Sequence, residues 1–299
     1  MSNAIVAEGV TKVFRDVAAL NGLNMVIPEG SIFGLVGPNG AGKTTAIKII
    51  MNILHANTGR VQVLDWDSRD LAGSAYCSIG YVSENQKLPE WMRVSDFLAY
   101  VRAFYPAWDR AFEDELVKKF DLPAKRKLKM LSRGMRMKVA LASSLAYRPA
   151  LVVMDEPFSG LDPLARDELI ECISHGARNA TLLVSSHDLA EVEAFATHIG
   201  YLEAGQLRFS EELKSLAARF RQIDLTVDSP ALPDAVPKSW IQIQVSNSTV
   251  RFIESRFDQE KTPADILQVF GAATSTTYAP MSLRSIFLAI AKGSREVGL

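Results

Sequence analysis

The chain has 299 residues, of which 48% are hydrophobic and 22% charged, with a formal net charge of -1. This is ordinary globular composition, with room for one large domain or two smaller ones. Nothing in the charge balance calls for nucleic acid or an anionic membrane surface as the main partner. The two cysteines, Cys77 and Cys172, are too few and too far apart for a disulfide framework or a metal set, so a reducing cytosol is expected.

The opening residues, MSNAIVAEGV, show no basic segment followed by an apolar one, so no secretory signal is expected. The longest apolar stretches, such as IFLAIA at 286–291, are too short to cross a bilayer. Any work at a membrane therefore requires another chain to span it.

Residues 4–29 read as short alternating strands with turns. SIFGLVG (31–37) is an apolar run ending in glycine, followed by the helical pattern KTTAIKIIMNIL. It does not alternate, which predicts a strand buried on both faces. Residues 88–147 read as a helical insert, with WMRVSDFLAYVRAFY, DRAFEDELVKKF and RMKVALASSLAY. Two further buried-strand runs follow, PALVVMDE (149–156) and ATLLVSS (180–186). The helix LARDELIECISHGA between them opens on Asp162 and Pro163, an N-cap and first-turn pair, and the helix DLAEVEAFATH follows the second run. Strands alternating with helices predict a parallel sheet wrapped by helices.

A proline-rich stretch, SPALPDAVPK (229–238), lies inside a separate C-terminal unit, read as a small α+β domain over 220–299. QIDLTVD puts Ile223, Leu225 and Val227 on one strand face, and IQIQV does the same with Ile241, Ile243 and Val245. TPADILQVF reads as a helix capped by Thr262, Pro263 and Asp265. SLRSIFLAIAKG reads as a final helix stopped by Gly293.

The chemistry begins at GPNGAGKTT (37–45). Gly37, Gly40 and Gly42 let backbone N–H groups converge on phosphate oxygens, helped by a helix N-terminus. Lys43 meets the β- and γ-phosphates, Thr44 offers a hydroxyl to Mg²⁺, and Thr45 reaches the α-phosphate side. VVMDEP then delivers Asp155 to the metal, through water, and Glu156 beside the γ-phosphate as general base. LSRGM (131–135) opens a helix on a cap residue and exposes N–H groups, a second anion site. Two phosphate sites 89 residues apart (132 minus 43) are explained if the second serves a nucleotide held by another copy of the chain.

In this order the motifs resemble the ATP-binding subunit of ATP-binding-cassette (ABC) transporters, over about residues 4–215. GPNGAGKTT is similar to the Walker A loop, with Pro38, Asn39 and Ala41 in the nucleotide-contacting set, and LVVMDEP to Walker B. LSRGM sits at the family's signature, SGLDP with Asp162 at its D-loop, and SSHD with His187 at its switch histidine. Phe14 falls where the family stacks an aromatic on adenine. The resemblance implies an ABC cassette at 1–219: a parallel core sheet wrapped by helices, an antiparallel β subdomain and a helical subdomain at about 88–147. It further implies ATP and Mg²⁺, a homodimer closing head to tail over two ATP molecules, and Ser132 and Gly134 of one copy completing the other's site. A separate membrane permease would be the partner, with the chain on the cytoplasmic face and no nucleic acid bound. Trp91 and Met92 fall where the permease docks, or serve local packing.

Three departures stand out. Glu84 occupies the position of the Q-loop glutamine, which in the family touches Mg²⁺ and the attacking water, and the resemblance assigns that place to Glu84, with Gln86 as the nearby alternative. Arg133 and Met135 replace a glycine and the glutamine of the signature, a variant known from exporters with separate ATPase and permease chains. Phe14 replaces a tyrosine. The seven basic residues between 125 and 138 could meet nucleic acid, but a solvated helix face beside the ATP interface accounts for them. His55, His175 and His198 have no metal-ligand partners at useful spacing.

Soluble relatives in DNA repair insert a long coiled coil between phosphate loop and signature, and translation-associated ones carry two cassettes; this chain has neither feature. The short C-terminal tail resembles exporters rather than sugar importers. The expectation is an ATPase driving export through a separate permease.

Overall fold

The computed structural model describes residues 2–177, 180–228 and 236–296, the last six of these by backbone alone. Two compact units emerge, Met1–Ser210 and Glu211–Leu299. The sequence reading puts this boundary at 219/220.

The first unit runs β1 (Asn3–Phe14), β2 (Val17–Pro28), β3 (Ile32–Val36), α1 (Lys43–Ile50), β4 (Thr58–Val63), β5 (Trp66–Asp67) and β6 (Ile79–Val82). It continues with α2 (Val94–Arg102), α3 (Arg110–Lys119), α4 (Arg133–Leu145), β7 (Leu151–Met154), α5 (Pro163–Gly176), β8 (Thr181–Ser186), α6 (Leu189–Glu193), β9 (His198–Glu203) and β10 (Gln206–Glu212), whose last two residues fall past the boundary. The central sheet has the order β10-β9-β3-β8-β7-β6. The pairs β9–β3, β3–β8, β8–β7 and β7–β6 are all parallel. A second sheet, β2-β1-β4-β5, is antiparallel throughout.

The absence of alternation in the apolar runs has its physical counterpart here. In β7, Val152 and Met154 join one buried cluster with α2, α3, α4 and α5, while Leu151 and Val153 join the other with α1 and the antiparallel sheet. Successive side chains point to opposite faces of a strand, so a strand covered on both sides must be apolar at every position. The helical segment has its own staple. Glu113 of α3 is buried and accepts two close bonds from Arg102 of α2 (2.6 and 2.8 Å) and one from Trp108 Nε1 (2.7 Å). A buried carboxylate is tolerated when it is paired and hydrogen-bonded in this way.

Parallel pairing sets the site. β3, β6, β7 and β8 all point the same way, so the loops leaving their C-terminal ends share one edge of the sheet, where open α/β sheets hold ligands. Those loops are the glycine-rich 37–42 segment and the segments carrying Glu84, Asp155–Glu156 and His187.

The second unit contains α7 (Leu213–Arg219), β11 (Arg221–Thr226), β12 (Trp240–Ser246), β13 (Thr249–Glu254), α8 (Lys261–Phe270), β14 (Ser275–Pro280) and α9 (Leu283–Glu296). Its sheet, β12-β13-β11-β14, is antiparallel, and Ile223, Leu225 and Val227 lie buried on one face as their spacing predicts.

Three local expectations are corrected. The alternation of Ile241, Ile243 and Val245 is broken by a register shift between Ile241 and Gln244, where Gln242 has φ 54°. Trp240 is the buried anchor instead, stacked on Phe252 at 4.2 Å, and Val245 is exposed. Helix α8 takes its cap from Asp258, whose Oδ1 accepts from the N–H groups of Glu260 and Lys261, while Thr262 lies in the first turn and accepts from the Asp258 N–H. Helix α9 does not stop at Gly293 but runs on to Glu296. Residues 229–235, most of the proline-rich stretch, lie outside the described residues.

Candidate functional site

The glycine-rich loop between β3 and α1 is built by close approach. Gly42 has φ 107°, and a Cβ there would sit 2.4 Å from the Ala19 carbonyl oxygen; a Cβ on Gly37 would sit 2.1 Å from that of Leu202. No other residue fits either position without displacing backbone. Gly42 also ends the loop at α1, which has no side-chain cap and no acidic residue in its first turn. Its leading N–H groups and dipole are thus available to an anion.

Lys43 is buried at 5% exposure. Its ammonium donates to the carbonyls of Gly37 (2.7 Å) and Pro38 (3.2 Å) and lies 3.1 Å from Glu156 Oε1. The opposite oxygen of Glu156 lies 2.8 Å from His187 Nδ1, and a carboxylate acceptor places the proton on that nitrogen. Lys43, Glu156 and His187 therefore form one continuous chain of charge-assisted contacts. Glu156 itself has φ 48°, an uncommon left-handed conformation for a residue with a side chain. Its N–H is held by Ser185 Oγ at 2.9 Å, and the Ser185 hydroxyl donates to Asp155 Oδ1 at 2.8 Å. Ser185, on β8, fixes both carboxylate residues of the neighbouring strand end. Its signal in the sequence was its place in SSHD.

Asp155 is buried and also accepts from Thr44 Oγ1 at 3.1 Å. Burial pushes its carboxyl above the usual range; the Ser185 and Thr44 hydroxyls oppose that, and the charges of Glu156 and Glu84 add to it.

A cavity of about 310 Å³ is lined by Phe14, Ala19, Asn39, Gly40, Ala41, Gly42, Lys43, Thr44, Thr45, Glu84 and Glu156, with Asp155 and His187 reaching it through Thr44 and Glu156. Phe14 is 43% exposed at its rim, with Lys12 Nζ 5.2 Å from its ring centre. Glu84 follows β6 and accepts from Ser159 Oγ at 2.9 Å.

The remaining predicted residues are not on this cavity. Ser132 caps α4, accepting from the Met135 N–H at 3.2 Å. Asp162 caps α5, accepting from the Ala165 N–H at 3.0 Å. Gly134 packs against Ala165, so the signature and the SGLDP segment stand side by side.

A further network brackets His187. Glu191 of α6 is buried, accepts from Ser186 Oγ and lies 3.2 Å from Arg166 Nη2 of α5; Arg166 Nη1 is 3.7 Å from Asp188. Burial raises the Glu191 carboxyl, and the Ser186 hydroxyl and Arg166 counter it. Arg166 and Glu191 lie 25 residues apart (191 minus 166) and carry no sequence signal of their contact.

Among the described residues, no group of three or more His, Cys, Asp or Glu could hold a metal unaided, and no helix is long and apolar enough to cross a membrane.

Comparison with known proteins places this geometry. A family profile described as ABC transporter matches residues 20–159. An uncharacterized ABC transporter ATP-binding protein of Bacillus subtilis, YhaQ, is 33% identical over 74% of this chain and 75% of its own length. The lantibiotic transport ATP-binding protein SrtF of Streptococcus pyogenes is 33% identical over 69% of this chain and 89% of its own. The probable multidrug ABC transporter ATP-binding protein YbhF of Escherichia coli is also 33% identical, over 75% of this chain and 40% of that longer one. A solved ATP-binding subunit of an ABC transporter superposes with a TM-score of 0.64 at 25% identity, covering 72% of this chain and 92% of that one. A dimeric ATP-binding cassette in a post-hydrolysis state with ADP and Pi gives 0.62 at 24% identity, covering 70% and 98%. The chain belongs to the ABC transporter ATP-binding proteins, the ATP-hydrolysing subunits of those transporters.

Proposed function

We propose that this chain energises an exporter: two copies close head to tail over two ATP molecules on the cytoplasmic face of the membrane and drive a separate permease chain. The observation that carries its ATP-hydrolysing part is the contact chain Lys43–Glu156–His187, whose first two members line the glycine-loop cavity.

Within that reading the residues divide the work. Phe14 stacks on adenine, and the N–H groups of 37–45 with Lys43 hold the phosphates. Entry of the γ-phosphate gives the Lys43 ammonium a stronger acceptor than the Gly37 and Pro38 carbonyls, and loosens its hold on Glu156. Glu156 then takes a proton from the attacking water as the water oxygen bonds to phosphorus and the bond to the bridging oxygen breaks, leaving ADP and phosphate. His187 steadies Glu156 and meets the γ-phosphate. Ser132, Gly134 and Asp162 act on the nucleotide held by the other copy, which agrees with their standing off this copy's cavity.

The donor set fits Mg²⁺: the Thr44 hydroxyl and the Asp155 carboxylate are hard oxygens already in contact, and magnesium takes one or two such ligands together with phosphates and water. Thr44 and Asp155 would hold the ion, with Glu84 beside them. When bound, the ion supplies positive charge to the phosphoryl oxygens.

Export is supported by the names of the lantibiotic and multidrug relatives. Trp91, 71% exposed, suits a permease contact, whereas Met92 packs against the helical core. The test is affinity purification of the tagged Glu156→Gln chain, with ATP and Mg²⁺, from detergent-solubilised membranes of its host. The expected product contains a multi-helix permease and two copies of the chain. Its turnover should be lower than wild type by roughly 10²–10⁴-fold, with ATP retained. Recovery only from the soluble fraction would refute the transporter reading, and wild-type turnover would refute the role of Glu156.

A further inference from the structure

Glu84 lines two cavities at once. One is the glycine-loop cavity, shared with Lys43, Thr44 and Glu156. The other, of about 580 Å³, lies between the segment after β6 and the start of α4 and is also lined by Arg133 and Arg136. The same carboxylate oxygen that accepts from Ser159 lies 3.8 Å from Arg133 Nη2. The guanidinium also lies on the face of Gly160: a Cβ there would come within 2.8 Å of Nη1 and 3.1 Å of Cζ. Three segments, after β6, after β7 and at the head of α4, thus meet at one charged contact.

Two physical facts make this more than a surface contact. Arg133 is the first residue of α4, where the helix dipole disfavours a cation, so something other than helix stability accounts for a positive charge there. Glu84, Asp155 and Glu156 are three carboxylates around a phosphate site whose buried cation is Lys43. A carboxylate at position 84 adds repulsion toward the phosphates unless a nearby cation offsets it.

We propose that Arg133 and Glu84 are a matched pair. Arg133 is a positioning residue that holds the Glu84 carboxylate at the divide between the two cavities and neutralises it toward the incoming nucleotide. Two of the positions at which this sequence departs from its family are then one departure: the acid is tolerated beside the phosphates because the signature supplies its counter-charge. The inference rests on the assignment of the glycine-loop cavity to ATP.

The test is a double-mutant cycle. Magnesium-ATP affinity and turnover are measured for the full chain as wild type, Arg133→Ala, Glu84→Gln and the double variant, at low and physiological salt. Both side chains are partly exposed, at 47% and 37%, so the coupling should have the size of an exposed ion pair, about two- to five-fold in affinity at low salt, shrinking as salt rises. Arg133→Ala should weaken ATP binding when Glu84 is intact and have little effect in the Glu84→Gln background, and Arg133→Lys should retain most of the wild-type affinity. Equal losses from Arg133→Ala in both backgrounds, or a loss that salt does not alter, would overturn the pairing and leave Arg133 a packing residue over Gly160. A wild-type chain that fails to bind magnesium-ATP would overturn the ATP assignment itself, and the pair with it.

Discussion

Replacing Arg166 by methionine tests whether the segment around His187 is held by charge. Methionine keeps most of the side-chain volume, and Arg166 Nε has no hydrogen-bond partner to lose. What is lost is the cation 3.2 Å from Glu191, a carboxylate only 3% exposed. Breaking a buried pair by removing one partner is costly because a charge is left behind, but Glu191 can escape that cost by taking up a proton. The escape sets a ceiling. Protonating a carboxyl of ordinary value 4.5 at pH 7 costs 1.36 kcal/mol for each of about 2.5 pH units, or about 3.4 kcal/mol. Burial already raises the folded-state value, so the expected loss is smaller, about 1–3 kcal/mol. The sign follows from the raised value. Stability linked to Glu191 is fully present below its unfolded pKa and is lost as pH rises through the folded one, so the variant should recover on acidification. At pH 5 the ceiling falls to about 0.7 kcal/mol. Urea unfolding of both proteins at pH 7 and pH 5 reads the difference, and Arg166→Met with Glu191→Gln should recover most of the loss at pH 7. Equal destabilisation at the two pH values, or a double variant no better than the single one, would refute the reasoning.

Ser132→Ala should cost α4 about 1 kcal/mol through loss of its cap and impair ATP-driven dimerisation, with ATP binding by the monomer unchanged; sedimentation with and without ATP checks this. Tyr147 is buried, donates to the Ile79 carbonyl at 2.8 Å and stacks on Tyr105, and burial pushes its phenol far above the ordinary value of 10.0. Tyr147→Phe should lose about 1 kcal/mol at neutral pH. The folded state keeps a proton that the unfolded state releases above pH 10, so wild-type stability falls there and the deficit of the variant should narrow, as unfolding at about pH 8 and about pH 11 would register. Asp258→Ala should destabilise α8 by about 1 kcal/mol, more than Asp265→Ala does, measurable by hydrogen exchange in residues 261–270.

How much of this is legible in the sequence depends on how local the cause is. The both-face burial of β3, β7 and β8 is written in consecutive apolar residues because a strand between two helix layers has no polar side to show. The caps at Asp162 and Ser132 are equally local, since each hydroxyl or carboxylate closes on an N–H three residues ahead. The cap of α8 escapes a reading by spacing because Thr262 and Asp265 look like cap residues in sequence. Asp258 reaches the helix across a turn whose geometry no spacing rule displays. The face of β12 fails for a backbone reason: Gln242 takes a left-handed φ, and a single such residue inverts every position after it.

At the candidate site the motifs supplied the residue types but not the way they hold one another. DE after an apolar strand names Asp155 and Glu156, yet it does not say that Glu156 is bent into positive φ, or that Ser185 from the next strand holds its N–H while bonding Asp155. That strain is the geometric condition for one strand end to bring adjacent carboxylates to a single site. With ordinary extended backbone, successive side chains would point to opposite faces of the sheet. Here Asp155 turns to Thr44, and Glu156 turns between Lys43 and His187. Both bonds that fix this arrangement come from Ser185, whose single hydroxyl accepts from the Glu156 N–H and donates to Asp155. The parallel β7–β8 pairing is therefore part of what builds the candidate site, because a shift of one residue in register would remove that hydroxyl from between the two acids.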